Sequence, residues 1–429
     1  MRRYRLDPGV VVFAAAAVLR VAWVLVRWSQ AGPALEFSDE QLHWQLATNL
    51  VEQGTLVSDD GRYAARMPMY PLFLAVFAWL GEVGILLARL AQALLGAAAA
   101  WAVFRLADAA LGRRAACLAG ALACCDPYAI FFTNLLLTEV TFTLIAVGLV
   151  ASAWRLVAQS AERNILAPIG LALLGAAAIL LRPSAAGWIV VLWIILWLLD
   201  HNRLRATRRL GLCVLTLGVL MLPWGLRNRV VLGHPAWLST NGGVTLYDAQ
   251  GPQAKGDSDQ SFLQRMPELA RLNEVERDRA LRRLAVAQMR EDWGRVLRLA
   301  GVKFRRTWSL TPNIESYRGG VAGFVSAAFM LVVLVAAAVG LWRTRAKWKL
   351  HVLLWLPVVY FTLLHCLFIG SLRYRVPLMP FVEITAAAAL VAIRLEEASA
   401  GQGGARAELH APRAQRELRP PGPGAQRPR

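Results

Sequence analysis

The sequence predicts an all-α polytopic membrane protein: a bundle of about ten transmembrane helices, with surface helices in the first outer loop. Three observations predict it. Apolar letters make up 57% of the 429 residues, charged letters only 17%, and mean hydropathy is +0.45, too oily for an ordinary soluble domain. The apolar residues gather into blocks of roughly 17–25, the length a helix needs to cross a hydrocarbon core about 30 Å thick. Clusters of arginine and lysine separate the blocks. The same pattern excludes a disordered chain, a collagen-like repeat and a disulfide-stapled secreted module. A formal charge of +19 would suggest nucleic acid in a soluble chain. Here topology and anionic membrane lipid absorb the excess, so membrane lipids are expected partners and nucleic acid is not.

The first block, Val10 to Val26, follows the basic start Met1-Arg-Arg-Tyr-Arg5 and reads as an uncleaved first span, since no small-residue cleavage site follows it. Further spans are expected near 83–108, 115–131, 134–154, 165–181, 184–199, 209–226, 320–342, 350–370 and 376–393. With the N-terminus inside, the inner loops hold Arg113-Arg114, Arg155 with Arg163, Arg203 to Arg209, and Arg343 to Lys349. All are basic, as cytoplasmic loops should be. The outer connections are then 30–82, a short turn near Asp126-Pro127, the turn at Arg182-Pro183, 227–318, and Ser371 to Arg375. Residues 1–394 are expected to form one domain, and 395–429, rich in Ala, Gly, Pro and Arg, a disordered cytoplasmic tail.

Neither long outer loop reads as a spacer. Gln41 to Gln53 carries Leu42, Leu46, Ala47 and Leu50 at helical spacing, and Pro68 to Gly81 is apolar but too short to cross. Pro267 to Trp293 is charged and helix-compatible. Val296 to Trp308 mixes Leu, Val, Phe and Trp with Arg298, Lys303, Arg305 and Arg306, the pattern of a basic interfacial helix.

The chemistry-bearing residues fall at the outer ends. Ser38-Asp39-Glu40 opens the first surface helix, where acids also complement the helix dipole. Thr138-Glu139 interrupts an apolar run near the outer end of a span, which is functional at membrane depth and unremarkable at headgroup level. Arg182, Arg227, Arg373 and Arg375 stand on the same face, where positive charge is under-selected. They snorkel to lipid phosphate or bind a substrate phosphate through their guanidinium forks. The five cysteines lie in apolar blocks, and neither they nor the six histidines have metal-ligand spacing. No metal site or other cofactor is expected.

Asp39-Glu40, Pro68-x-Tyr70-Pro71-Leu72, Leu137-Thr138-Glu139, Arg182-Pro183, Pro223-Trp224 with Arg227-Asn228, Ser239-Thr240-Asn241-Gly242-Gly243, and Arg373-Tyr374-Arg375 with Pro377 and Pro380 follow one another in this order. Over residues 8–394 the set resembles the bacterial family-39-like glycosyltransferases of the GT-C fold, relatives of protein O-mannosyltransferases and lipid A aminoarabinose transferases. The resemblance implies a transferase of the bacterial inner membrane, with its site facing the periplasm or exterior. Such enzymes move a sugar from a polyprenyl-phosphate carrier to a lipid, glycan or protein acceptor. It implies Asp39 as general base or acceptor-orienting group, with Glu139 and Glu40 as further acids. Arg182, Arg373, Arg375 and Arg227 would hold the donor phosphate, and His43, Arg66, Tyr70 and Asn241 the acceptor or sugar. Two departures stand out: His43 replaces a common tyrosine, and Arg66-Met67-Pro68 replaces the acidic-basic-proline triplet of the aminoarabinose branch. The second argues against aminoarabinose as donor. A flippase or carrier of lipid-linked glycans is the competing reading, and it requires polar residues at the bilayer midplane.

Overall fold

The computed structural model describes residues 6–158, 165–313 and 318–390, and every regular element among them is helical. The fold follows from caps, breaks and small residues. Asp7 caps the first helix, accepting from the Gly9 amide, and Pro8 sits where its missing N–H costs nothing. This helix, α1 (Pro8–Ala31), lies along α4 (Glu82–Leu111), whose buried Ala88, Ala93, Gly96, Ala97 and Ala100 allow backbones to approach closely. Val10, Val11, Val18 and Leu25 of α1 remain exposed, as side chains that meet lipid should.

Between them run two helices of the first long loop, α2 (Ser38–Gln53) and α3 (Met69–Ala78). Both expected surface helices are therefore present, α2 three residues earlier than its apolar periodicity indicated. The next expected span, 115–131, is a broken pair, α5 (Arg113–Cys125) and α6 (Pro127–Thr133), bent by 50°. Pro127 cannot donate to the preceding turn, and Asp126 caps the new helix by accepting from Tyr128 and Ala129 amides. The carbonyls orphaned at this break are met by Arg20, buried on α1. Its Nη2 donates to Ala123 O at 2.9 Å and its Nη1 to Cys124 O at 3.3 Å. An arginine within a span is thus accounted for by a broken neighbour.

The expected helix 134–154 begins only at Glu139, as α7 (Glu139–Ala158), preceded by a non-helical strap over 134–138. Asp126-Pro127 is accordingly a kink inside a membrane segment, and the connection at the loop-bearing end is this strap. A hairpin follows, α8 (Leu166–Leu181) and α9 (Ala185–Leu199), and then α10 (Arg203–Leu232) with Pro223 inside it. The second long loop folds into α11 (Gly242–Gln250), α12 (Phe262–Arg265), α13 (Glu274–Glu291) and α14 (Trp293–Thr307) around a small core of Val244, Phe262, Leu269 and Leu281. Asn273 and Glu276 form a capping box on α13. Two long helices, α15 (Gly320–Arg343) and α16 (Trp348–Leu367), lead to a 3₁₀ segment, Leu372–Leu378, and to α17 (Met379–Ala387).

Six of these helices are long and apolar enough to span a membrane, seven if the bent pair is one span. The expected count of ten is not confirmed among the described residues: α8 and α9 have 16 and 15 residues, and the last apolar block opens on a 3₁₀ segment. The tail at 395–429, the basic start, Arg163 and the last residues of the 376–393 block lie outside the described residues. At the end of the bundle away from the long loops, Lys347 donates to Ala110 O at 3.0 Å and Arg113 pairs with Asp7 and Asp108, both at 3.0 Å.

Candidate active site

Five chain segments deliver charge to one place at the loop-bearing end, the end of α8 with Arg182 among them. The first turn of α2 carries Asp39, and the segment before α3 carries Arg66. The first residue of α7 is Glu139, and the 3₁₀ segment carries Arg373. Asp39 Oδ1 accepts from Arg66 Nη2 at 2.6 Å, and Oδ2 accepts from Arg373 Nη1, also at 2.6 Å. Arg373 then reaches across with Nε to Glu139 Oε1 at 2.8 Å, so one guanidinium joins both acids. Arg182, which ends α8, lies 2.9 Å from the same oxygen as an ion pair and donates from Nε to Thr138 Oγ1 at 2.7 Å. Glu139 is fully buried, and its Oε2 has no hydrogen-bond partner among the described residues. Asp39 keeps 31% of its side chain exposed and Arg373 keeps 24%, so a ligand can reach both.

Local folding explains why these groups hold still. Glu40, adjacent to Asp39, is fully buried, and both of its oxygens are occupied. Oε1 accepts from the Glu36 and Phe37 amides at 3.0 and 3.1 Å, and Oε2 accepts from the Leu136 amide at 2.8 Å. That last bond pins the start of α2 to the strap that leads into Glu139. Gln92 holds the strap from its other side, donating to the Thr133 and Leu135 carbonyls at 3.1 and 2.8 Å while accepting from Tyr70 at 2.6 Å. Glu40 and Tyr70 thus sit in the framework beneath the cluster. His43, one turn after Asp39, packs edge-on against Tyr70 with ring centroids 5.0 Å apart.

Two groups outside the spans carry informative electrostatics. Burial would raise the Asp39 carboxyl, but Arg66 and Arg373 override it and hold it well below the usual carboxylate range. Burial, helped by Arg66, pushes the His43 imidazole down to about 3, so it is neutral at neutral pH.

Other residues singled out in the sequence lie elsewhere. Arg375 is fully buried and turned away, donating to the Thr307 and Ser309 carbonyls with its guanidinium 4.6 Å from the Tyr128 ring centre. Arg227 donates to the Tyr63 and Leu56 carbonyls at 2.5 and 2.6 Å, bracing the first loop against α10. Asn241 precedes α11 and donates to Thr245 Oγ1 at 3.4 Å. It still belongs to the surroundings of the cluster, because Thr240 N donates to Ala64 O at 2.9 Å and Glu274 accepts from the Tyr63 and Ala64 amides at 2.8 and 3.1 Å. Sequence reasoning missed that docking, and it missed Tyr374 and His365. Tyr374 lies between Arg373, 5.4 Å from its ring centre, and the His365 ring, stacked at 3.7 Å and 9°. Tyr374 was visible only as the middle letter of Arg373-Tyr374-Arg375, and nothing in the sequence joined His365 to it. Among the described residues, no group of three or more His, Cys, Asp or Glu is disposed to hold a metal ion.

The sequence model of the Alg9-like mannosyltransferase family matches residues 37–224, a little under half of the chain, and that stretch contains Asp39, Arg66, Glu139 and Arg182. No curated protein matches by sequence. Among solved structures, the archaeal oligosaccharyltransferase AglB from Archaeoglobus fulgidus, in complex with an inhibitory peptide and a dolichol-phosphate, is 13% identical with a TM-score of 0.55, over 96% of this chain and 52% of that one. The apo form of the Archaeoglobus fulgidus oligosaccharyltransferase is 11% identical with a TM-score of 0.57, over 95% and 52%. ArnT from Cupriavidus metallidurans bound to undecaprenyl phosphate is 17% identical over 94% of this chain and 81% of that one, with a TM-score of 0.42. The chain spans about half the length of the oligosaccharyltransferases it matches. This polytopic helical chain shares the fold of the oligosaccharyltransferases it matches, and over residues 37–224 it is similar to the Alg9-like mannosyltransferase family.

Proposed function

We propose that the chain is a membrane glycosyltransferase that moves a sugar from a polyprenyl-phosphate carrier to a hydroxyl of a lipid, glycan or protein acceptor. The observation that carries this reading is the bridging of Asp39 and Glu139 by Arg373, with Arg66 and Arg182 on either side. Three guanidinium groups against two carboxylates leave one positive charge in excess, which matches the single negative charge of a sugar phosphodiester. As the anomeric bond breaks, the leaving phosphate gains a second charge, and fixed guanidinium groups stabilise it where it develops. The acceptor hydroxyl gives its proton to the Asp39 carboxylate as it attacks. Attack opposite the phosphate inverts the anomeric centre. The family match and the oligosaccharyltransferase fold support the class of reaction, and the dolichol-phosphate of the AglB complex supports the class of carrier. On this reading the site faces the exterior or periplasm from the inner membrane, and the arginines do the phosphate's electrostatic work without a required cofactor.

The flippase reading draws on Arg20, Asp126 and Glu383, which are buried inside the bundle. The cavity they line holds about 30 Å³, room for one or two waters and far too little for a glycan. The deciding experiment presents purified protein in detergent with a panel of polyprenyl-phosphate sugars, mannose included, together with a cell-envelope lipid and glycan extract. Release of free polyprenyl phosphate supports the transferase. Binding without release for every sugar would remove it in favour of a carrier.

A further inference from the structure

Both oxygens of the proposed base are engaged by the protein's own arginines. Each Asp39 oxygen is tied to a different guanidinium at 2.6 Å, one from the segment before α3 and one from the 3₁₀ segment. A carboxylate held this way is a poor proton acceptor, because taking a proton would break charge-assisted bonds on both oxygens. The other groups facing it do not compensate. His43 on α2 is neutral near pH 7, Tyr374 is next to Arg373, and Glu139 shares Arg373 with Asp39 while Arg182 stands behind it.

We propose that the phosphodiester of the donor releases the base: it takes the Arg66 and Arg373 guanidinium groups from Asp39, so the proton acceptor exists only in the donor-loaded protein. This rests on the glycosyltransferase reading and adds its regulation. The phosphate oxygens are the natural competitor, since they offer the same forks a bidentate partner. Both arginines are about three-quarters buried, at 23% and 24% side-chain exposure, and still reachable. Glu139 keeps Arg373 in place during the exchange through the Nε bond, leaving the Nη atoms to change partner.

The consequence is an order of events. Donor binds first. The acceptor oxygen then attacks the anomeric carbon, the bond from that carbon to the phosphate oxygen breaks, and the acceptor proton moves to Asp39. The bond electrons leave with polyprenyl phosphate, and the proton passes from Asp39 to water after product release. Without donor, the clamped Asp39 activates neither acceptor nor water, which protects the carrier-bound sugar from loss before its phosphate is seated.

The exchange is readable without turnover. A hydrophobic carbodiimide modifies carboxyl groups through their protonated form, so its rate at Asp39 reports how firmly the guanidinium groups hold that carboxylate. The full-length chain in detergent at pH 6 is treated with and without geranyl phosphate, a short isoprenyl monophosphate, and labelling of the Asp39 peptide is followed by mass spectrometry. Asp39 is expected to be refractory in the free chain and to label at least roughly tenfold faster with the phosphate, one unit of carboxyl pKa being tenfold in protonated fraction. An unchanged or reduced rate overturns the proposal. Arg373→Gln, checked for a cooperative thermal transition, should label without any phosphate. A folded Arg373→Gln protein that stays refractory also overturns it. If that variant does not fold, Arg66→Gln gives the same reading from the other oxygen. Failure here alongside polyprenyl-phosphate release in the donor panel would sink the gating and leave the glycosyltransferase standing.

Discussion

Asp39 and Arg373 are 334 residues apart in the chain and bonded at 2.6 Å in the fold. The helix after the first span and the 3₁₀ turn before the last helix are thereby joined through the groups proposed to do the chemistry. A guanidinium that serves two carboxylates cannot be replaced by an ammonium, which offers a point charge in place of a planar fork. Arg373→Lys should therefore weaken donor-lipid binding by on the order of tenfold or more. Arg375→Lys should leave donor affinity within a few-fold and lower the unfolding temperature instead, because Arg375 serves backbone carbonyls of the second loop. Binding of a fluorescent polyprenyl phosphate to both variants checks this. Equal loss of affinity at the two positions would restore Arg375 to the phosphate site.

Glu40 and Asp39 are neighbours with separate tasks. Glu40→Gln keeps the volume but cannot accept with both side-chain atoms, so one buried amide is left without its partner, at a cost of about 1–3 kcal/mol. Its unfolding temperature should fall clearly, with turnover per folded molecule reduced only as far as the strap moves. Thermal unfolding measured beside specific activity distinguishes this from a proton-transfer role, in which turnover would collapse at unchanged stability.

The acid limb of stability should carry a His43 signature. His43 titrates near 3 in the folded chain and near 6.5 when unfolded, so between those values only the unfolded state takes up the proton. Stability is then lost as pH falls from about 6.5 toward 3. Asp39, held low by its arginines, adds its own loss only below the ordinary carboxylate range, in the same direction. Unfolding temperatures from pH 7 to 4.5 should fall more steeply for wild type than for His43→Gln. Parallel curves would mean that His43 is not buried neutral.

Gly340 of α15 faces α17 so closely that a Cβ there would lie 1.9 Å from the Thr385 carbonyl oxygen. The obstacle is backbone, so relief requires the helices to part. Gly340→Ala should destabilise by roughly 1–3 kcal/mol, read as a lower unfolding temperature in detergent. A wild-type value would show that the two helices separate at no cost.

Much of this was legible in the sequence for identifiable reasons. Apolar blocks and basic loops located the helices, because bilayer thickness and charge asymmetry act on each segment alone. Asp39, Glu139, Arg182 and Arg373 could be named because each is a charged letter at the end of an apolar block. What stayed hidden depends on partners distant in the chain. Arg66 was read as a departure from a pattern, and its bond to Asp39 needs α3 folded back on α2. Arg375 is two letters from Arg373 and looked equivalent, yet the 3₁₀ turn points it toward Thr307 and Ser309. The kink at Asp126-Pro127 was read as a turn, since only the position of Arg20 shows that its loose carbonyls are satisfied inside the bundle.

The central claim is that Asp39 takes the acceptor proton, and Asp39→Asn tests it most directly. The amide keeps the size of the side chain and the first turn of α2 while removing the base. Single-turnover transfer from the donor lipid that proves active should fall by on the order of 10²–10⁴, with donor binding retained in a protein that still unfolds cooperatively. An Asp39→Asn protein that folds, binds donor and transfers sugar within a few-fold of the wild-type rate would contradict the claim.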